Sequence, residues 1–218
     1  MTRVIFWDED TQHDFMDPNG RLYVPRAEEI LGTLEQLTRC ARTHRVPIIA
    51  VMCDHTPADA EISTQPNYQT TFPPHCMRGT RGQERVAATA VEDGITIENR
   101  VYTRGEIEHL LDTGKREIVI KKQALDPFSN PATDLVLSVL DPEMVIVYGV
   151  ALDFCVNQAV IGLTDRRRRV CVVRDATRPI NAYGAMQCEA EWQRRGVQLV
   201  GTADVVTERV VQLDTRGA

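Results

Sequence analysis

Short runs of β-branched and aliphatic residues alternate along this chain with segments that place apolar residues at helical spacing. That alternation limits the possible folds more than any other feature. Arg3 to Trp7, Val46 to Met52, Glu117 to Ile120, Met144 to Tyr148, Val170 to Val173 and Val197 to Val200 read as strands. Pro25 opens a helical segment with Ile30, Leu34, Leu37 and Ala41 on one face, and Pro131 to Leu140, Asp153 to Leu163 and Ala185 to Arg195 read as further helices. Strands that are apolar nearly throughout need cover on both faces, and strands alternating with helices imply parallel βαβ units with right-handed crossovers. The expected fold is therefore α/β: a doubly wound, mostly parallel sheet with helices on both faces, in a Rossmann-like three-layer arrangement. Two stretches do not fit the alternation. Thr56 to Gly82 is polar and proline-rich and reads as one long loop, and long ordered loops usually carry function. Within 86–116, ITIENRVYT reads as a hairpin and GEIEHLLDTG as a short helix outside the main sheet.

The 218 residues suffice for one core, so a single domain over residues 1–218 is expected. A formal net charge of -6 argues against a surface that tracks phosphates, so the expected partner is a small molecule and not nucleic acid. No apolar run reaches the length needed to cross a bilayer, and MTRVIFWDED turns acidic too early for a signal peptide. No membrane association and a cytoplasmic location are expected. Six cysteines lie scattered without a CxxC pair, as free thiols in a reducing compartment would.

In an open parallel sheet, ligands bind beyond the carboxyl ends of the strands. Three segments with chemically capable side chains each follow a strand: DTQHDF holding Asp10, KKQALDPF holding Lys122, and GVALDFC holding Cys155. Cys155 enters a helix, where the N-terminus or a nearby ammonium lowers a thiol's pKa and favours the nucleophilic thiolate. A carboxylate at a strand end can accept the thiol proton. Taken singly, each residue has an ordinary reading as a packed cysteine, a solvated acid or a surface lysine. Arg166 to Arg169 reads as cover for the negative end of the Cys155 helix, and Trp7 and Trp192 as core or interface residues.

Together, these three motifs, in this order and at strand ends, resemble the isochorismatase-like cysteine hydrolases, whose amidase members include the nicotinamidases. The resemblance spans residues 3 to 175. It implies Asp10 and Lys122 as catalytic residues and Cys155 as nucleophile. It further implies a cis peptide between Val150 and Ala151, which aims the Ala151 and Cys155 amides at an oxyanion. The run PPHC followed by RGT resembles the nicotinamidase loop, in which an Asp-x-His pair, a histidine six residues on and the PPH histidine bind a divalent ion. Carried over, this gives His55, Glu61 and His75. Cys53 stands where the family aspartate would be and Glu61 replaces a histidine, so either Asp54 or Cys53 completes the set. Imidazole and carboxylate ligands with open positions suit zinc, manganese or iron, and no organic cofactor is expected. Phe15 and Phe72 match the family's substrate-sandwiching aromatics.

The implied activity is hydrolysis of a small carboxamide through a thioester, with nicotinamide the leading substrate and another small amide or ureide the alternative. An isochorismatase-type vinyl-ether hydrolase lacks the nucleophilic cysteine, and a non-catalytic scaffold would not keep all three residues. Association into a homo-oligomer is expected.

Overall fold

The computed structural model describes residues 4–207 and contains a seven-stranded sheet. The strands are β1 (Val4–Glu9), β2 (Ile48–Cys53), β3 (Gly94–Ile97), β4 (Glu117–Lys122), β5 (Met144–Val150), β6 (Arg169–Arg178) and β7 (Gln198–Val200), in the order β3-β4-β2-β1-β5-β6-β7. Every strand pair is parallel. Arg3, which the sequence reading includes in the first strand, lies outside the described residues.

Side-chain alternation divides the core into two layers. Ile5, Trp7, Ile49, Val51, Val145 and Val147 pack beneath α3 (Arg104–Leu111), α4 (Ala132–Leu140), α5 (Asn157–Asp165) and α6 (Ala182–Arg194). Val4, Phe6, Ile48, Ile146 and Tyr148 face the short α1 (His13–Met16), α2 (Leu31–Thr43) and α7 (Thr202–Val206). Each central strand therefore buries both faces, which is why its sequence is apolar nearly throughout. Trp7 and Trp192 are both fully buried core residues, and the Trp7 ring stacks on Phe128. Among the described residues no disulfide forms, and five of the six cysteines are buried.

Two local differences from the sequence reading have physical causes. The segment read as a hairpin forms no hairpin: β3 joins the main sheet as a parallel edge strand against β4, and its apolar Ile95 and Ile97 pack into the core. The predicted short helix is present as α3, closed at its start by a capping box between Thr103 and Glu106. Pro25 does not begin an α-helix, because Arg26 is left-handed and the chain first makes a short 3-10 turn over Ala27–Ile30. At the other end of α5, the Arg166 guanidinium donates to the Gly162 carbonyl at 3.0 Å, as expected of a cation at a helix C-terminus.

The chain runs outward from β1 to β2 and the far edge, then returns to β5 on the other side of β1. The crevice at this switch point is where such sheets bind ligands. Gly149 makes the close approach possible, since a Cβ there would lie 2.1 Å from the Glu9 carbonyl oxygen, and its φ of +115° also excludes most side chains.

Candidate active site

Three separate strands deliver reactive side chains to this crevice. β1 ends at Glu9, and the next residue, Asp10, adopts a left-handed conformation (φ +51°), which aspartate tolerates better than most residues. Its backbone N–H still donates to Val51 at 3.1 Å, so the turn stays attached to the sheet. Lys121 and Lys122 end β4 and point to opposite faces. Lys121 turns outward to Glu98, while Lys122 is fully buried. The Lys122 ammonium lies 2.8 Å from Asp10 Oδ2 and 3.5 Å from Glu9 Oε1, and it donates to the Leu125 carbonyl at 3.2 Å.

Cys155 follows β5 in a π-helical turn, Leu152–Val156, that leads into α5. Single π turns of this kind recur at functional sites. The peptide bond between Val150 and Ala151 is cis. Ligand atoms of Glu9, Asp10 and Cys155 lie within 4.8 Å of one another, so the sulfur, the carboxylate and the ammonium share one buried space.

The electrostatics correct one expectation. Burial pushes the Cys155 thiol well above its ordinary pKa, and the neighbouring Lys122 only partly opposes this. The resting sulfur is therefore a thiol that must lose its proton to a base. Burial also works against the Lys122 ammonium, but Asp10, with Cys155, Cys53 and Glu9, outweighs it and holds the pKa well above normal. Burial and the Asp10 charge raise Glu9 well above the usual carboxylate range. Lys122 therefore stays an ammonium against Asp10, and Glu9 takes a hydrogen bond from the Trp7 indole at 2.7 Å.

Beside this group, ligand atoms of Cys53, His55 and His75 also lie within 4.8 Å of one another. Both ring nitrogens of His55 are buried without a hydrogen-bond partner, although Nδ1 has the Asp59 carboxylate at 3.6 Å. His75 Nδ1 pairs with the Pro73 carbonyl at 2.8 Å, which fixes Nδ1 as donor and leaves Nε2 a free lone pair. Burial holds the His55 pKa down to about 4 and also lowers that of His75, so both imidazoles are neutral, the form that ligates metals. Two neutral imidazoles and a sulfur fit a divalent ion such as zinc.

Asp54, the alternative to Cys53, is not available. Its carboxylate is held by the Arg78 guanidinium (Nη2–Oδ2 2.6 Å) and by Gln83, because alternation along β2 turns its side chain away from Cys53. Glu61 is not part of the group of three. Its buried carboxyl has one oxygen without a partner, and burial raises its pKa to about 7.

Both groups open on one apolar cavity of about 90 Å³, lined in part by Phe15, Phe72, Phe154, Glu61, His75 and Cys155. Phe15 and Phe72 each meet His75 edge-on, with ring centroids 5.3 and 6.2 Å away. Sequence reasoning missed Phe154, Glu9 and Gln12. Gln12 accepts from the Cys53 amide at 2.8 Å and donates to the Cys53 and Gln83 carbonyls, clamping the end of β2 beside the site. Its position two residues after Asp10, within DTQHDF, was the available signal.

A sequence model of the isochorismatase domain matches residues 4–204. The chain belongs to the isochorismatase family. It is accordingly a hydrolase by family. A nicotinamidase of Saccharomyces cerevisiae is 25% identical over 195 residues, covering 79% of this chain and 86% of the yeast protein. Two solved structures share the fold. The pyrazinamidase of Pyrococcus horikoshii in complex with zinc has a TM-score of 0.71 at 20% identity, covering 91% of this chain and 99% of that one. The N-carbamoylsarcosine amidase of Thermoplasma acidophilum has a TM-score of 0.69 at 20% identity, covering 92% of this chain and 96% of that one. Among the described residues, no helix is long and apolar enough to cross a membrane.

Proposed function

We propose that this protein hydrolyses a small carboxamide to an acid and ammonia, with Cys155 as nucleophile, Asp10 as proton carrier and Lys122 as the ammonium that keeps the site's charge balanced. The observation that carries this reading is the meeting of Asp10, Lys122 and Cys155 in one buried space, from which Cys155 opens onto an apolar cavity. Asp10 removes the Cys155 proton, and the sulfur attacks the carboxamide carbon. The carbonyl oxygen takes up the negative charge and accepts hydrogen bonds from the Ala151 and Cys155 amides. Collapse of this adduct breaks the C–N bond as Asp10 returns the proton to the departing nitrogen, leaving a thioester and free ammonia. Water then attacks the thioester while Asp10 takes its proton, and the acid leaves as the thiol re-forms. Lys122 holds the Asp10 carboxylate in place through each transfer.

Cys53, His55 and His75 would hold a divalent ion, for which the zinc complex of the pyrazinamidase is a parallel. When bound, such an ion polarises a coordinated water or holds a substrate lone pair.

Nicotinamide is the leading substrate, supported by the yeast nicotinamidase and by the aromatic walls Phe15 and Phe72. The second reading, a different small amide or ureide, draws support from the departures at Cys53 and Glu61 and from the likeness to an N-carbamoylsarcosine amidase. Ammonia release measured on nicotinamide and a panel of small amides and ureides, on wild type and Cys155→Ala, tests both. The reading expects release from at least one compound and a loss of at least about a thousandfold in the variant. Full activity in Cys155→Ala would overturn it.

A further inference from the structure

Two acids share one ammonium at the end of β1, and the scheme above uses only one of them. Glu9, Asp10 and Lys122 are all fully buried, and Glu9 does not line the cavity. Glu9 Oε1 and Asp10 Oδ2 face Lys122 Nζ at 3.5 and 2.8 Å, and both oxygens lack a hydrogen bond. A carboxyl oxygen of Glu9 also lies within 4.8 Å of the Cys155 sulfur. The polar groups around Glu9 are thus Asp10 beside it, Lys122 from β4, Cys155 from the π-helical turn and the Trp7 indole, which donates to Oε2. Were both acids ionised, this buried space would hold an uncompensated negative charge, so one of them keeps its proton. The donors decide which. Asp10 has the ammonium at the shorter distance and the Cys53 thiol donating to Oδ1 at 3.7 Å, whereas Glu9 takes a single neutral N–H. Burial, and then the Asp10 charge, accordingly raise the Glu9 carboxyl well above the usual carboxylate range.

We propose that Glu9 is a positioning residue for the hydrolysis: its un-ionised carboxyl stands beside Lys122 without competing for its charge, so the ammonium stays on Asp10. This rests on the amide-hydrolase reading. Loss of the Glu9 proton sets two carboxylates against each other for one ammonium and draws it off Asp10. The base that takes the Cys155 proton then loses its anchor. Glu9 acts through Lys122 and carries no proton to or from the substrate.

Two variants test this. Glu9→Gln keeps the shape and neutrality of the protonated acid, and Glu9→Leu removes both oxygens. Infrared difference spectra at neutral pH, wild type minus Glu9→Gln, should contain the carbonyl stretch of a protonated carboxylic acid and no carboxylate bands. Ammonia release should show Glu9→Leu about ten- to a hundredfold down in kcat with little change in KM, and Glu9→Gln should recover most of that loss. The alkaline limb of kcat/KM should lie at lower pH in wild type than in Glu9→Gln, because only wild type has this proton to lose. Carboxylate bands in the difference spectrum, a Glu9→Gln protein no better than Glu9→Leu, or superimposable alkaline limbs would overturn the proposal. If Glu9→Leu does not fold, the spectra and the two alkaline limbs decide the matter. A protonated-acid band without ammonia release from any amide would sink the hydrolase reading and leave the proton on Glu9 standing.

Discussion

Two clusters lie side by side on the cavity, touching where the Cys53 thiol donates to Asp10 Oδ1 at 3.7 Å, and they are built on opposite principles. In the first, Asp10, Lys122 and Glu9 come from the ends of central strands, and every charge has a partner: the ammonium meets two carboxylates, and the indole of Trp7 meets Glu9. In the second, His55 and His75 sit on the long connection after β2, and His55 is buried with both nitrogens unpaired. Opposite charges hold the first cluster together even though Glu9 Oε1 and Asp10 Oδ2 lack hydrogen bonds, whereas the buried imidazole of His55 has neither a hydrogen bond nor a charge of its own. The first cluster is therefore balanced within the chain, and the second fits the ion site proposed above.

The largest test of this contrast is removal of Lys122. Lys122→Met leaves Asp10 and Glu9 buried with no ammonium, and truncating one partner of a buried ion pair costs about 3–5 kcal/mol. Denaturant unfolding should show a loss of that order. A change below about 1 kcal/mol would mean the strand-end cluster is not self-sufficient. Next in size is the loss of a ligand from the second cluster. Cys53→Ser or His75→Ala should weaken zinc binding, read by competition with a chromophoric chelator, by at least about ten- to a hundredfold, with little change in the stability of the metal-free protein. Cobalt in place of zinc should give a thiolate charge-transfer band in wild type that Cys53→Ser lacks. A variant that unfolds without metal would erase the distinction between the clusters. The smallest effect concerns the Cys155 thiol. Because its pKa is raised, the reactive thiolate is scarce near neutrality and increases with pH through the ordinary thiol range. Alkylation by iodoacetamide in the absence of substrate, followed by mass spectrometry at Cys155, should therefore accelerate by about tenfold per pH unit with no plateau near pH 7. A plateau at neutral pH would mean that the ammonium outweighs burial.

The two clusters also differed in how readily the sequence disclosed them. Asp10, Lys122 and Cys155 follow apolar runs whose strand character is unmistakable, and a parallel sheet sends all such ends to one edge, so their meeting could be foreseen. The loop cluster offered no such geometry. The choice between Cys53 and Asp54 depended on Arg78 and Gln83, 24 and 29 residues beyond Asp54, which occupy its carboxylate. Glu61 was carried over by position alone, and the fold leaves it on the same cavity as Cys53 and His75 with one carboxyl oxygen unpartnered. The raised pKa of Cys155 was likewise hidden, because burial depends on the whole fold while the proximity of a lysine is suggested by motif. β3 misled for a simpler reason: four residues of alternating apolarity suit a hairpin and a parallel edge strand equally well.

Gly149 determines where this enzyme can be reshaped. With the Glu9 backbone 2.1 Å from where a methyl would sit, even alanine there would wedge apart the two strands that frame the crevice, and the damage would reach Asp10 and Cys155 together. A mutant library meant to enlarge or repolarise the cavity should leave that floor untouched. Its diversity belongs at positions 61, 68 and 72, which belong to the connecting loop and carry no strand pairing of the main sheet.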